Sequence, residues 1–156
     1  MKVKNEVSAG GIVYKKVGEK IVWLICQHSQ HKGWVFPKGL IGDHTKDEPI
    51  NEAALREVEE EGGVKTKIVK KNPIKIEYQY QWNNSPHGGV KGENILVNKT
   101  VYYFLMEYVS GDPKNHDWEM SDAKFVTEGE AKKILTYPSD KEAFEKILKI
   151  ISIQES

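Results

Sequence analysis

The chain has 156 residues, and its 23 Lys and Arg balance 23 Asp and Glu for a formal net charge of zero. That length suits one domain, over 1–156, with a core large enough to need no covalent staples. Charge balance excludes a global field that would draw the chain to nucleic acid or an anionic membrane, so any affinity for phosphate has to be local.

From the N-terminus, MKVKNEVSAGG lacks the apolar stretch of a secretion signal. No later segment approaches the roughly 20 apolar residues of a membrane span. A soluble, cytoplasmic protein with no membrane or nucleic-acid partner is expected. Val7 to Lys15 and Lys20 to His28 are β-branched, apolar runs around the turn-like Val17-Gly18-Glu19, which predicts a hairpin. The single cysteine, Cys26, lies in the run IVWLIC and has no internal disulfide partner, so it reads as a small buried hydrophobe in a reducing compartment. Trp34-Val35-Phe36-Pro37-Lys38-Gly39 follows as a short extended piece.

The next stretch, Gly42 to Val64, reads GDHTKDEPINEAALREVEEEGGV. At about 100° per residue, Glu57, Glu60 and Glu61 share one face of a helix, and Ala54, Leu55 and Val58 another. Pro49 suits the first turn, and Gly62-Gly63 closes the helix. The wet face is then a carboxylate cluster. Like charges at this spacing repel by about 0.2–0.5 kcal/mol per pair, and a hard divalent cation such as Mg²⁺ or Mn²⁺ would offset that. A solvated acidic face is the plain alternative.

Lys67 to Trp82 and Ile95 to Tyr108 are predicted as long strands, separated by the polar stretch NNSPHGGVKGEN. Thr127 with Glu130, and Ser139 with Glu142, are capping-box patterns that predict the starts of two helices. In the last one, Phe144, Ile147, Leu148 and Ile151 follow i, i+3, i+4, i+7 spacing and are expected to pack on the sheet. Strands first, one helix between and two helices last indicate an α/β (α+β) domain. Its mixed sheet is sandwiched by helices, unlike a doubly wound dinucleotide fold.

Gly42, five residues, Glu48, seven residues and then Arg56-Glu57-Val58-Glu59-Glu60-Glu61-Gly62-Gly63-Val64 resemble in full the Nudix box of hydrolases that cleave a nucleoside diphosphate linked to another group. SAGGIVY at 8–14, WVFPKG at 34–39, KTVYYFLMEY at 99–108, DWEMSDAKFV at 117–126 and the closing YPSDKEAFEKIL look like the prokaryotic diadenosine polyphosphate hydrolase branch. The likeness implies an α/β/α sandwich. It also implies Mg²⁺-dependent hydrolysis of a small nucleotide, diadenosine tetraphosphate giving ATP and AMP. Another nucleoside diphosphate derivative (a nucleoside triphosphate, ADP-ribose or an RNA 5′ end) and a silent nucleotide-binding module remain alternatives.

The resemblance also assigns roles. Glu57, Glu60 and Glu61 would hold one to three Mg²⁺ ions that lower the pKa of a bound water, with Glu57 or Glu60 as base. Arg56 would hold Glu48 or a box glutamate in place by bidentate hydrogen bonds. Glu119, six residues before Phe125 on a loop entering the last strand, is a further ligand or base. In relatives the proline-lysine-glycine turn supplies a backbone carbonyl to the metal. Here Gly39 lies nine residues before Glu48, whereas Gly42 lies six before it. Three inserted residues would make Gly39 the ligand and the Gly42 match partly fortuitous. Lys38, Lys99 and His87 are candidate phosphate contacts. Tyr78, Tyr80, Trp82, Tyr102 and Tyr103 are available to stack a base, with Tyr103 the choice.

Overall fold

In the computed structural model, the residues described are 2–41, 47–83 and 94–155. The hairpin forms as β1 (Lys2–Val17) and β2 (Lys20–His28), with Tyr14 opposite Trp23 and Val17 opposite Lys20. β1 starts earlier than the apolar pattern does. Its polar first residues run parallel to a distant strand, Lys2 opposite Ile95, and such pairing leaves no mark on local sequence. WVFPKG supplies β3 (Trp34–Val35) and β4 (Lys38–Leu40), which pair with β2 and β1.

Helix α1 spans Ile50–Gly62. Pro49 stands at the N-cap, one residue before the expected first turn, and its carbonyl accepts from Ala53 N at 2.9 Å. Gly63 ends the helix at φ +73°, a left-handed cap that favours glycine, and its N–H donates to the Glu59 carbonyl.

The expected strand from Lys67 to Trp82 is instead two, β5 (Val64–Ile68) and β6 (Ile74–Asn83). Pro73 lacks the N–H that a ladder requires, and the chain bends through Lys71 and Asn72 just before it. Both pieces return to the same partner, β7 (Asn94–Gly111), with Ile68 opposite Met106 and Ile74 opposite Tyr103. A 3₁₀ turn (Pro113–Asn115) and β8 (Met120–Thr127) follow, then α2 (Glu128–Ile134) and α3 (Pro138–Glu155).

Thr127 caps α2 as expected. Its hydroxyl accepts from Glu130 N, and Thr127 N donates to the Glu130 carboxylate. The Ser139 pattern does not start α3. Pro138 does, one residue earlier, because its fixed φ and missing donor suit the first helical position. The buried carboxylate of Asp140 then falls in the first turn.

Among the described residues the strands form one mixed sheet in the order β3-β2-β1-β7-β5, with β4 on β1, β6 on β7 and β8 on β2. Only β1 and β7 run parallel; the other pairs are antiparallel. Period-two alternation splits the core across it. Ile12, Trp23, Ile25, Val101 and Tyr103 pack with Ala131, Phe144 and Ile147 of α2 and α3. Ala9, Val13, Leu24, Phe104 and Met106 pack on Ala53, Ala54 and Val58 of α1. The result is the expected α/β/α sandwich. No described helix is long and apolar enough to cross a membrane.

Candidate active site

A cleft of about 820 Å³ opens where α1, the end of β2, β4, β6 and the start of α3 meet. Glu57, Glu60 and Glu61 line it together with Lys38, Gly39, Lys99 and Glu119. The carboxylate face of α1 is not the wet face that its charge suggests. Glu57 and Glu61 are each 5% exposed, walled in by the β4 turn. A Cβ on Gly39 would overlap the Glu57 carboxylate, so only glycine lets the two meet. Gly39 pairs with Ala9 of β1, which fixes the turn against α1. Gly42 and His87 lie outside the described residues.

Arg56 ties the carboxylates together. Its Nε and Nη2 donate to the two oxygens of Glu48 at 3.0 and 2.8 Å, the bidentate geometry expected. Nη1 donates to Glu57 at 2.9 Å and to Glu60 at 3.2 Å. Glu61 instead accepts the Lys38 backbone N–H at 2.9 Å.

Burial pushes the Glu61 carboxyl up to about 8. The Lys38 N–H and charge oppose the shift, and the charges of Glu57 and Glu119 add to it. In the folded state Glu61 therefore keeps a proton that the unfolded chain releases near its ordinary value. The stability this contributes is complete below about pH 4.5 and disappears as pH rises through about 8. Relaxation and water entry keep the loss to roughly 2 kcal/mol. Denaturant titrations of chelator-treated protein from pH 5 to 8.5, at intervals of about one unit, should show this decline. Glu61→Gln should remove it, and an unchanged slope in that variant would assign the decline to other groups.

The segment bearing Glu119 is anchored at two points and braced by one internal hydrogen bond. Asp117 N donates to the Glu60 carbonyl at 2.8 Å, Ser29 N to the Glu119 carbonyl at 2.9 Å, and Glu119 N to Asp117 Oδ1 at 3.1 Å. The candidate base is thereby placed beside the box although some sixty residues separate them in sequence. Lys99 faces the cleft and pairs with Glu6 at 3.7 Å, and Glu6 also accepts from the Tyr80 hydroxyl at 2.8 Å.

Tyr103 does not stack a ligand. It is 2% exposed, its ring packs edge-on against Phe36, and its hydroxyl donates to Asp140 Oδ1 at 3.2 Å. Position 103 shares its face of β7 with Val101 and Leu105, which point into the α3 side of the core. Tyr78, Tyr80 and Tyr137 are the tyrosines that line the cleft. The sequence reading missed Tyr137, Asp140, His28 and His31. The imidazoles of His28 and His31 stack at 4.1 Å, and Tyr137 Oη lies 2.8 Å from His31 Nδ1. Tyr137-Pro138 is a recognisable helix entry, but nothing local says that it faces a cleft. Cys26 is buried and free, as expected, with Sγ near the Glu61 carbonyl.

Among the described residues, no three His, Cys, Asp or Glu side chains converge closely enough to cage an ion as they are placed. The donor set nevertheless fits a hard divalent cation. Glu57, Glu60 and Glu61 present carboxylate oxygens on one wall, and burial together with the charges of Glu57 and Glu119 holds the Glu61 carboxyl far above its ordinary range, a condition that a cation would relieve.

A mixed sheet lies between helices, and a carboxylate-bearing helix opens into the cleft. The NUDIX domain model matches residues 4–147, and the chain belongs to that family, whose hydrolases generally use divalent metal ions. Among solved structures, a C. elegans Ap4A hydrolase in a binary complex is 23% identical with a TM-score of 0.67, over 94% of this chain and 98% of that one. The NUDIX domain of Shewanella oneidensis NrtR, complexed with ADP ribose, is 19% identical with a TM-score of 0.61, over 97% and 90%. At these identities the likeness extends to the fold. The candidate mutator protein MutT4 of Mycobacterium tuberculosis is 25% identical over 147 residues. That match takes in 90% of this chain and 54% of the relative, so the chain spans about half its length.

Proposed function

We propose that the protein is a Mg²⁺-dependent pyrophosphohydrolase of dinucleoside polyphosphates that splits diadenosine tetraphosphate asymmetrically into ATP and AMP. The observation that carries this reading is one cleft holding the three box glutamates and Glu119 together with Lys38, Lys99 and the rings of Tyr78, Tyr80 and Tyr137. The near-complete resemblance to the diadenosine polyphosphate hydrolase branch supports the substrate, as does the fold-level likeness to a C. elegans protein named for that activity. A reducing cytoplasm suits the free, buried Cys26.

Bound divalent cations would neutralise phosphate charge and activate a water. Glu57, Glu60 and Glu61 would hold them, with the Gly39 carbonyl as the backbone ligand beside Glu57. Arg56 keeps Glu57 and Glu60 oriented through its grip on Glu48. The water oxygen bonds to phosphorus, the bond from phosphorus to the bridging oxygen breaks, and the water's proton passes to a carboxylate. Glu119, on its anchored loop, is that base. Lys38 and Lys99 meet phosphate oxygens, and a tyrosine face takes a base.

Glu119→Gln should lower kcat at least about tenfold with little change in KM, the pattern of an interaction made chiefly in the transition state. An unchanged kcat would reduce Glu119 to a loop residue. The substrate is tested by Mg²⁺-dependent product release from diadenosine tetraphosphate, ATP, ADP-ribose and capped RNA. The highest kcat/KM is expected for the first. Preference for another would transfer the assignment to it, and binding without turnover of any would identify a silent nucleotide module.

A further inference from the structure

Ser8 is 1% exposed and yet lines the cleft. Its hydroxyl hydrogen-bonds to no described residue, whereas every fully enclosed side-chain oxygen or nitrogen among the described residues has a partner. The Ser8 oxygen is therefore not enclosed, and the opening that it reaches is the cleft. Its surroundings follow from the sheet. Alternation along β1 sets Glu6, Ser8 and Gly10 on one face. Glu6 stands opposite Lys99 of β7 and pairs with it, so the Lys99 ammonium lies on that face, one pleat from Ser8. One pleat the other way, Gly10 stands opposite Lys38 of β4. A Cβ on Gly10 would overlap the Lys38 Cβ, so the Lys38 side chain leaves on the same face. The hydroxyl thus sits between two lysines that line the cleft, with about 7 Å of strand towards each. The charge of Glu6 is answered within the sheet: Oε1 meets the Tyr80 hydroxyl and Lys99, and Oε2 meets Lys4.

We propose that Ser8 is a substrate-binding residue whose hydroxyl donates to a phosphate oxygen of a polyphosphate chain laid between Lys38 and Lys99. The inference rests on the nucleotide reading of the cleft and adds the group that grips its phosphates from the sheet. The direction of the bond follows from the ligand. The inner phosphates of such a chain carry no proton at neutral pH and only accept, and a serine hydroxyl can turn to donate. Ammonium groups on either side select an anion for this place, and a neutral nucleobase edge would gain little from them. A nearly dry hydroxyl without a partner in the protein is costly to cover with an apolar group, and a charged acceptor stabilises it most.

Ser8→Ala removes the oxygen and leaves the rest of the side chain in place. Because that oxygen bonds to no described residue, the denaturant midpoint of the unliganded variant should match or exceed that of wild type. A clearly lower midpoint would show that the hydroxyl serves the fold, and overturns the proposal. Bis(methylene)triphosphate and its 5′-adenosyl ester, which have no P–O–P bond to cleave, are titrated calorimetrically in the presence of Mg²⁺. Ser8→Ala should weaken both by about tenfold or more, the size of one hydrogen bond to a charged group. Affinities within twofold of wild type overturn the role of Ser8 while leaving the nucleotide reading intact. Weakening of the ester alone transfers the contact to the nucleoside and overturns the phosphate contact, as does wild-type protein that binds the ester but not the free triphosphate. Wild-type protein that binds neither overturns the nucleotide reading, and this inference with it.

Discussion

Glu60→Gln is expected to lower kcat by about a hundredfold or more with the fold intact. Glu60 is the most accessible of the three box glutamates, with 35% of its side chain exposed, and its contact with Arg56 is a long one at 3.2 Å. Glutamine keeps the volume and one acceptor oxygen but removes the charge that a divalent cation requires. Loss of one charged ligand removes much of the charge stabilisation from the transition state, which is usually the largest single contribution. The stability change should stay within about 1 kcal/mol, since a half-exposed ion pair is worth little. Steady-state rates at saturating Mg²⁺, with a denaturant midpoint measured in parallel, separate the two quantities. A kcat within threefold of wild type would remove Glu60 from the metal-binding set.

Arg56→Met should cost about 3–5 kcal/mol of stability as well as most of the activity. The guanidinium reaches Glu48, Glu57 and Glu60 at once, and the first two side chains are only 11% and 7% exposed. Methionine retains the stem but leaves nearly buried carboxylates without the cation that holds them charged and oriented. Hydrogen bonds donated to Glu48 are the largest of the causes that raise the Arg56 pKa further above its ordinary value, so arginine is charged at any working pH. Lysine, a point charge that cannot fork, should restore only part of the loss. Adding Glu57→Gln to Arg56→Met should recover stability without recovering rate, the non-additivity expected of a coupled cluster. A loss below about 1 kcal/mol in the single variant would make Arg56 an ordinary surface ion pair.

Where a feature of this protein depends on neighbours in sequence, it was legible. The REVEEEG run, the Thr127 cap and the left-handed Gly63 all involve residues within a few positions of one another, and each formed as its local pattern requires. The alternation along β7 was visible too, but its sign was not. Tyr102 and Tyr103 are neighbours that point to opposite faces, and only the side on which α3 docks makes Tyr103 the buried one. Pro73 did carry a local signal, the missing donor that separates β5 from β6, and the strand-like residues on both sides of it, KIV and IKIEYQYQW, obscured that signal. Ser139 shows the reverse: a correct capping pattern was overridden by a proline one residue earlier.

By itself the sequence determined the family's chemistry: a helix carrying three carboxylates and an arginine, whose spacing is a property of helical periodicity and needs no tertiary partner. The tertiary structure decided what those groups face. Glu57 and Glu61 are buried because β4 folds over them at Gly39, and Glu119 joins them because its loop hydrogen-bonds to Glu60 and Ser29. Tyr137 and Asp140 enter the cleft because α3 packs across the sheet from α1. Burial and long-range hydrogen bonding depend on contacts between residues tens of positions apart, and no local pattern of side chains encodes which of those contacts will close.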